Sequence, residues 1–162
     1  MLITLFQIRP DEFVKHRSKI DRISTIVNQE LGFAVACNDE SAETPSRSQR
    51  TIYLAIRNKR AVGLLAVETV RKAFTLKDNN VERSSTPRPC LVGVHKLWVH
   101  NSVRKQGIAS LMLDAMRDHY IYGMVVPTEQ IALSSPTAAG ANFARQYLES
   151  ASILVYDCQS EY

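Results

Sequence analysis

An amphipathic helix that directly follows an apolar strand dominates the second half of the sequence. Apolar side chains recur at the i, i+3, i+4 and i+7 spacing of one helical face, at Ile108, Leu111, Met112, Ala115, Met116 and Tyr120. Asp114, Arg117 and Asp118 fall on the opposite face. The preceding residues 91–99 are rich in strand-forming side chains. Because such a helix must bury its apolar stripe, the pair predicts a sheet with helices packed on it.

The remaining segments predict further strands and helices around this pair. Strands are predicted at residues 2–8, 51–56, 61–67, 129–134 and 153–156, and helices at 13–31 and from a Thr137 cap to about Leu148. Residues 57–60 predict a tight hairpin turn, and Gly32 is placed to end the first helix. The polar segments 38–50 and 77–89 are predicted to be loops. The order predicts an α/β (α+β) fold, a mixed central β-sheet flanked by helices, in one domain over residues 1–162.

The composition is ordinary for a globular chain and excludes several classes of protein. A hydrophobic fraction of 45% suffices for one packed core, and a net charge of +4 suits an acidic ligand. Direct nucleic-acid binding is not expected, because no block of five or six basic residues occurs. No apolar run approaches membrane-spanning length and no signal-peptide pattern occurs, so we expect no membrane partner. Cys37, Cys90 and Cys158 lack zinc-ligand spacing, which predicts reduced thiols and no metal site.

The turn between the strand and the helix carries the pattern Arg-x-x-Gly-x-Ala, at Arg104, Gly107 and Ala109. A helix N-terminus has unpaired backbone N–H groups and the positive end of the helix dipole, so a diphosphate can bind directly on it. Gly107 and Ala109 are small enough to let phosphate oxygens reach the backbone, and Arg104 and Lys105 add positive charge. The pattern predicts a diphosphate-binding turn. The alternative is an ordinary strand–helix turn with exposed basic residues.

The same turn is similar to the coenzyme A diphosphate loop of the GNAT superfamily, and the similarity covers most of the chain. Segments that resemble the cohesin acetyltransferases are residues 21–33, 62–66, 93–99, 104–110, 120–123 and 131–137, followed by Gly140. The Tyr-Ile-Tyr-Gly sequence at 120–123 and the Ser-Ser-Pro sequence at 134–136 are not general GNAT features. They narrow the resemblance to the cohesin acetyltransferase family.

This resemblance implies a GNAT fold and a nuclear lysine N-acetyltransferase that uses acetyl-CoA as its co-substrate. Members of the family acetylate paired lysines on the SMC head of cohesin during DNA replication, so the expected protein substrate is a cohesin SMC head. Relatives usually carry a zinc finger and a segment that binds the replication clamp upstream. Neither pattern occurs in these 162 residues, so the resemblance is to the catalytic domain, and a clamp contact would need a segment absent here.

The resemblance also implies which residues bind the cofactor. In GNAT folds the thioester oxygen meets a backbone N–H of the strand before the diphosphate loop, here the strand containing Leu97, Trp98 and Val99. The loop itself comprises Arg104, Lys105, Gln106, Gly107, Ile108, Ala109 and Ser110. Phe143 and Tyr147, one turn apart on the last helix, are expected to line the pantetheine arm. Core packing is the alternative for Trp98, Phe143 and Tyr147.

Two candidate catalytic residues, His95 and Ser135, depart from the family's pattern. Transfer requires a neutral lysine amine, and a pKa near 10.4 keeps almost all lysine protonated at pH 7. His95 stands where many relatives have a small hydroxyl residue, and a reference pKa near 6.5 suits a proton acceptor. A histidine satisfied by a neighbour on a sheet face is the alternative. Ser135 replaces a carboxylate that orients or deprotonates the substrate amine in many relatives, and we hypothesise that His95 compensates.

Two other functions remain open on the sequence. Another GNAT enzyme, acting on a small amine or a protein N-terminus, would have the same diphosphate loop. A catalytically weak module that binds acetyl-CoA or a protein partner would be consistent with Ser135. Comparing substrates separates the first from a cohesin acetyltransferase, and ligand binding without turnover identifies the second.

Overall fold

The computed structural model describes residues 2–31, 50–76 and 83–157. The elements are β1 (Thr4–Ile8), α1 (Phe13–Leu31), β2 (Thr51–Arg57), β3 (Arg60–Thr69), β4 (Lys72–Leu76), β5 (Arg83–Pro89), β6 (Val92–Val99), α2 (Ile108–His119), β7 (Ile131–Ser134), α3 (Ala138–Leu148) and β8 (Ile153–Tyr156). Within these ranges no helix is both long enough and apolar enough to cross a membrane.

All eight strands belong to one sheet in the order β1-β2-β3-β6-β7-β8-β4-β5. The pairs β6–β7 and β7–β8 are parallel, and the other neighbouring pairs are antiparallel. Each parallel connection contains a helix, α2 in the first and α3 in the second. The prediction of a mixed central sheet flanked by helices is confirmed.

The helices cover the two faces of the sheet. Side chains alternate between the faces of a strand, so β3 sends Leu65 and Val67 into the core under α2 and α3, and Leu64 and Ala66 into the core under α1. Burial on both faces explains why β3 is almost entirely apolar. The packing therefore places β3 and its neighbour β6 at the centre of the molecule.

Two local predictions are confirmed, the β2–β3 hairpin turn and the cap of α3. The β2–β3 hairpin turns through Asn58 and Lys59, whose φ angles of 51° and 61° are the left-handed values of a two-residue hairpin turn. Thr137 caps α3, since its hydroxyl accepts a hydrogen bond from the Gly140 N–H at 3.1 Å. Both features were therefore predictable from the local sequence.

The prediction of a loop over residues 77–89 is wrong for 83–89, which form β5, and β4 was not predicted as a strand. β5 is an edge strand with exposed side chains at nearly every position, so no apolar alternation marks it. Pro87 and Pro89 are tolerated there because an edge strand needs hydrogen bonds on one side only. Residues 77–82 and 38–49, like the predicted stop at Gly32, lie outside the described residues.

Gly93 marks a very close approach between β6 and a neighbouring side chain. A Cβ atom at this position would lie 2.5 Å from ring atoms of Tyr156 and 2.5 Å from the Val70 side chain. Both neighbours are packed in one buried cluster on that face of the sheet. The absence of a side chain at Gly93 is therefore a packing requirement.

Gly93→Ala is expected to lower the free energy of unfolding by about 1–3 kcal/mol, because the added methyl group must displace the Tyr156 ring. Gly63→Ala is the comparison variant. Its Cβ would meet the flexible end of Met112 at 2.9 Å and the Ala55 Cβ at 3.2 Å, so the expected loss is smaller than at Gly93. Chemical denaturation of both variants measures the difference. A loss at Gly63 as large as that at Gly93 would contradict this account.

Candidate active site

β6 and β7 pair over only three residues before they separate. The ladder runs from Val92–Ile131 to Val94–Leu133. β6 then continues to Val99, still paired along its other edge with β3. No described strand pairs with the β7-facing edge of β6 beyond Val94. This gap is called the fork below. Residues 97–99 border it, and an extended ligand can pair with this edge of β6.

A β-bulge at His95 marks the start of the fork. Ala66 and Val67 of β3 are consecutive, yet they pair with Lys96 and Val94 of β6, so His95 is the extra residue of the bulge. His95 and Lys96 both line a cavity beside α1, together with Arg50. The bulge therefore places two consecutive side chains, His95 and Lys96, on the α1 side of the sheet.

The loop from β6 to α2 contains two residues in the left-handed region of backbone conformation. Gly107 is the N-cap of α2 with φ of 81°, and Lys105 is also left-handed with φ of 61°. Leu111 N–H bonds to Gly107 O at 3.0 Å, so the amides of residues 108–110 precede the helical ladder and have no partner within it. Residues 104–107 are exposed, while Ile108 is buried and anchors the helix. The loop thus presents amides and the positive end of a helix dipole to solvent.

Gln106, Ala109 and Ser110 complete the predicted loop. Gln106 is exposed, whereas Ala109 and Ser110 are half-buried in the first turn of α2. Ala109 and Ser110 have small side chains, on which the predicted access of phosphate oxygens to the backbone depends. Binding of coenzyme A by these residues remains a prediction.

Arg104 and Trp98 are both tied to the last turn of α1. Arg104 Nε donates to Val99 O at 3.1 Å, and its Nη2 lies 3.9 Å from Glu30 Oε2. Trp98 Nε1 donates to the same Glu30 oxygen at 2.6 Å. The indole is buried in the core under α1, so core packing describes the Trp98 side chain, and only its backbone lies along the fork. Leu97 and Val99 pack against the core on the α2 side.

Phe143 and Tyr147 link α3 to α2. Their rings stack with centroids 6.0 Å apart, and Tyr147 donates a hydrogen bond to Asp114 on α2 at 2.5 Å. Burial, followed by the hydrogen bond to Asp114, raises the pKa of Tyr147 to about 12, so its hydroxyl stays protonated at neutral pH. The pair is half-buried against the core, and its contact with a pantetheine arm remains a prediction.

His95 is a weaker base in the fold than its reference value suggests. Burial, and then the positive charges of Arg50 and Lys96, lower the pKa of His95 to about 3. The imidazole is therefore neutral throughout the neutral pH range. A neutral imidazole still offers one donor and one acceptor nitrogen. Its catalytic role remains a prediction.

Ser135 follows β7 on the other side of the fork. It is exposed and has a left-handed φ of 39°, which is uncommon for a residue with a side chain. It lines a cavity with Pro136, Thr137 and Arg83, and not the cavity that His95 lines. The two candidate catalytic residues therefore flank the fork from different strands and lie in different cavities.

A half-buried polar network near the fork was not found from the sequence. Glu68 accepts a hydrogen bond from Arg50 Nε at 3.2 Å and one from the Tyr156 hydroxyl at 2.8 Å. Glu68 stands opposite Gly93 in the β3–β6 ladder, close to where β6 and β7 separate. The feature of the sequence that could have indicated this network is Glu68, an acidic residue near the end of the largely apolar strand β3. Within the described ranges, no group of three His, Cys, Asp or Glu side chains is arranged to hold a metal ion.

Comparisons of the sequence with known proteins point to one family. A family model described as ESCO1/2 acetyl-transferase matches residues 88–156, which run from the end of β5 to β8. Human N-acetyltransferase ESCO1 is 28% identical over 171 aligned residues, which cover 94% of this chain. N-acetyltransferase ECO1 of Saccharomyces cerevisiae is 29% identical over 86% of this chain. The chain spans 20% of the length of ESCO1 and 53% of that of ECO1.

Comparisons of the fold agree. The xEco2 acetyltransferase domain, solved bound to a lysine–CoA conjugate, has a TM-score of 0.83 and is 32% identical, and the match covers 94% of this chain and 92% of that one. An aminoglycoside acetyltransferase from a soil metagenomic sample, with a TM-score of 0.53 and 15% identity, shares the fold alone. The GNAT fold predicted from the sequence is therefore confirmed.

Gly107→Ala is expected to reduce the free energy of coenzyme A binding by more than it reduces the free energy of unfolding. A Cβ at Gly107 has open space around it, so the variant should fold, but a left-handed alanine costs about 1 kcal/mol and distorts the loop. Gly123→Ala is a matched control. Gly123 has a φ of 79° and equally open surroundings, and it lies beyond the other end of α2. Isothermal titration calorimetry should show weaker binding in Gly107→Ala only. Equal weakening in both variants would contradict a role for the loop.

Proposed function

Since this chain belongs to the ESCO/Eco1 family of acetyltransferases, we propose that it transfers the acetyl group of acetyl-CoA to a lysine side chain of a protein. The observation that carries the proposal is the continuity of the fork with the loop at 104–107. The open edge of β6 ends at Val99, and Gly107, eight residues later, is the N-cap of α2. A single extended ligand with amides at one end and a diphosphate at the other would span both.

Acetyl-CoA carries chemical groups that are complementary to this surface. Its pantetheine arm carries amides that can pair with the open edge of β6, as an added strand would. Its diphosphate suits the amides of residues 108–110, which precede the helical hydrogen-bond ladder, and the positive end of the α2 dipole. The basic side chains of Arg104 and Lys105 are exposed beside that site and favour an anionic ligand.

In the proposed reaction the lysine nitrogen attacks the thioester carbonyl, the carbon–sulfur bond breaks, and the thiolate of coenzyme A leaves. Backbone N–H groups on the open edge of β6 would stabilise the oxygen as it becomes negative, because fixed dipoles cost no reorganisation. No side chain is required for that step. The lysine must also lose a proton, and His95 and Ser135 are the candidate residues that flank the fork.

We propose further that the protein substrate is the SMC head of cohesin, and that the enzyme acts in the nucleus to establish sister-chromatid cohesion. The support is family membership and the lysine–CoA conjugate bound by the xEco2 domain. A contact with the replication clamp would need a segment outside these residues. The departures at His95 and Ser135 from the residues common in the family keep two alternatives open, a different amine substrate and a catalytically weak binding module.

The first test is thermal unfolding with increasing acetyl-CoA, followed by transfer of labelled acetyl. Acetyl-CoA at 100 times its dissociation constant should stabilise the fold by about 2.7 kcal/mol. A recombinant cohesin SMC head fragment should then accept label faster than polyamines and unrelated peptides. Stabilisation without transfer to any acceptor would support the binding module, and no stabilisation would refute the proposal.

His95→Ala is expected to lower turnover far more than affinity for acetyl-CoA. Steady-state kinetics with the SMC head fragment, together with calorimetry, separates the two effects. Because the His95 imidazole is already neutral above pH 5, its titration should add no limb to the rate profile between pH 5 and 8. Unchanged turnover in His95→Ala would remove this residue from the mechanism.

A further inference from the structure

A single carboxylate oxygen at the end of α1 contacts both ends of the segment from residue 98 to residue 104. Glu30 Oε2 accepts the 2.6 Å hydrogen bond from Trp98 Nε1 and lies 3.9 Å from Arg104 Nη2. The indole is buried, with 4% of its surface exposed, while the Arg104 side chain is 56% exposed. The last turn of α1 therefore contacts both the end of β6 and the loop proposed to hold the diphosphate.

The position of Glu30 is unfavourable for an acid without such partners. The last turn of a helix is the negative end of its dipole, where a carboxylate is destabilising. The Trp98 indole and the Arg104 guanidinium supply the compensating donor and charge. A second contact from the same turn, between Lys96 Nζ and Asn28 Oδ1, also joins α1 to β6. The end of α1 is thus fastened to the strand that borders the fork.

Arg104 is oriented by two contacts at the same edge of its guanidinium. Nε donates to Val99 O at 3.1 Å, and Nη2 faces Glu30. A guanidinium has five N–H donors in a rigid plane, so these contacts leave the edge formed by Nη1 and Nη2 for phosphate oxygens. Holding a long side chain in place before the ligand arrives lowers the entropy lost on binding. By orienting Arg104, the Glu30 carboxylate therefore favours binding of the diphosphate.

We propose that Glu30 is a positioning residue for acetyl-CoA, which acts by holding Arg104 in the orientation that meets the diphosphate. The inference rests on the proposed function and adds to it a residue outside the diphosphate loop. Glu30 does not contact the coenzyme in this account. Its effect passes through Arg104, whereas its hydrogen bond to Trp98 fixes the carboxylate itself.

The test is Glu30→Gln, assayed with acetyl-CoA and the SMC head fragment. Glutamine keeps an oxygen for the Trp98 N–H but removes the charge that attracts Arg104, so the fold should keep its melting temperature. The KM for acetyl-CoA is expected to rise about two- to fivefold, in line with the strength of exposed ion pairs, with kcat unchanged. In an Arg104→Gln background, Glu30→Gln should have no further effect on KM.

Asp11→Asn is the matched control, because it also removes one exposed negative charge, at the other end of the helical segment. It should leave KM unchanged. An unchanged or lower KM in Glu30→Gln, or the same rise in the Arg104→Gln background, would overturn the role of Glu30. Wild-type protein that failed to bind acetyl-CoA would refute the proposed function itself, so the two failures are distinguishable.

Discussion

β6 has a hydrogen-bonded neighbour along nearly the whole of one edge but along only three residues of the other. β3 holds the strand in place as far as Val99, while β7 leaves after Leu133. Residues 97–99 therefore border an opening where an extended ligand can pair with the strand. The bulge at His95 begins where the strands separate, and the strand runs on toward the loop before α2. The candidate site is thus primarily a product of strand register, with side chains added to it.

The side chains around this edge are mostly held by one another. Glu68 is bound by Arg50 and Tyr156, and Glu30 by Trp98 and Arg104. Burial and neighbouring cations keep His95 neutral by lowering its pKa to about 3. Such an arrangement favours fixed geometry over a strongly basic side chain. It is consistent with the proposed reaction, in which positioning and backbone dipoles supply much of the rate.

Membership of the ESCO/Eco1 family and the departures from its pattern concern different parts of the molecule. The likeness to the xEco2 domain extends over 94% of this chain, and the matched family model includes β6, α2, β7 and α3. The two positions that the family resemblance singled out, His95 on β6 and Ser135 directly after β7, lie on either side of the fork. The shared fold therefore extends through the strands and helices that border the fork.

The sequence alone determined the helices and the strands with apolar patterns, because each depends on local spacing. The stripe from Ile108 to Met116 and the Thr137 cap are examples. β5 escaped detection, since an exposed edge strand with two prolines has no apolar alternation. Only the tertiary structure decided where β6 and β7 separate, that His95 would be neutral, and that Glu30 would meet Trp98 and Arg104. Those features depend on register and on contacts between residues some 70 positions apart, such as Glu30 and Trp98, which no local pattern encodes.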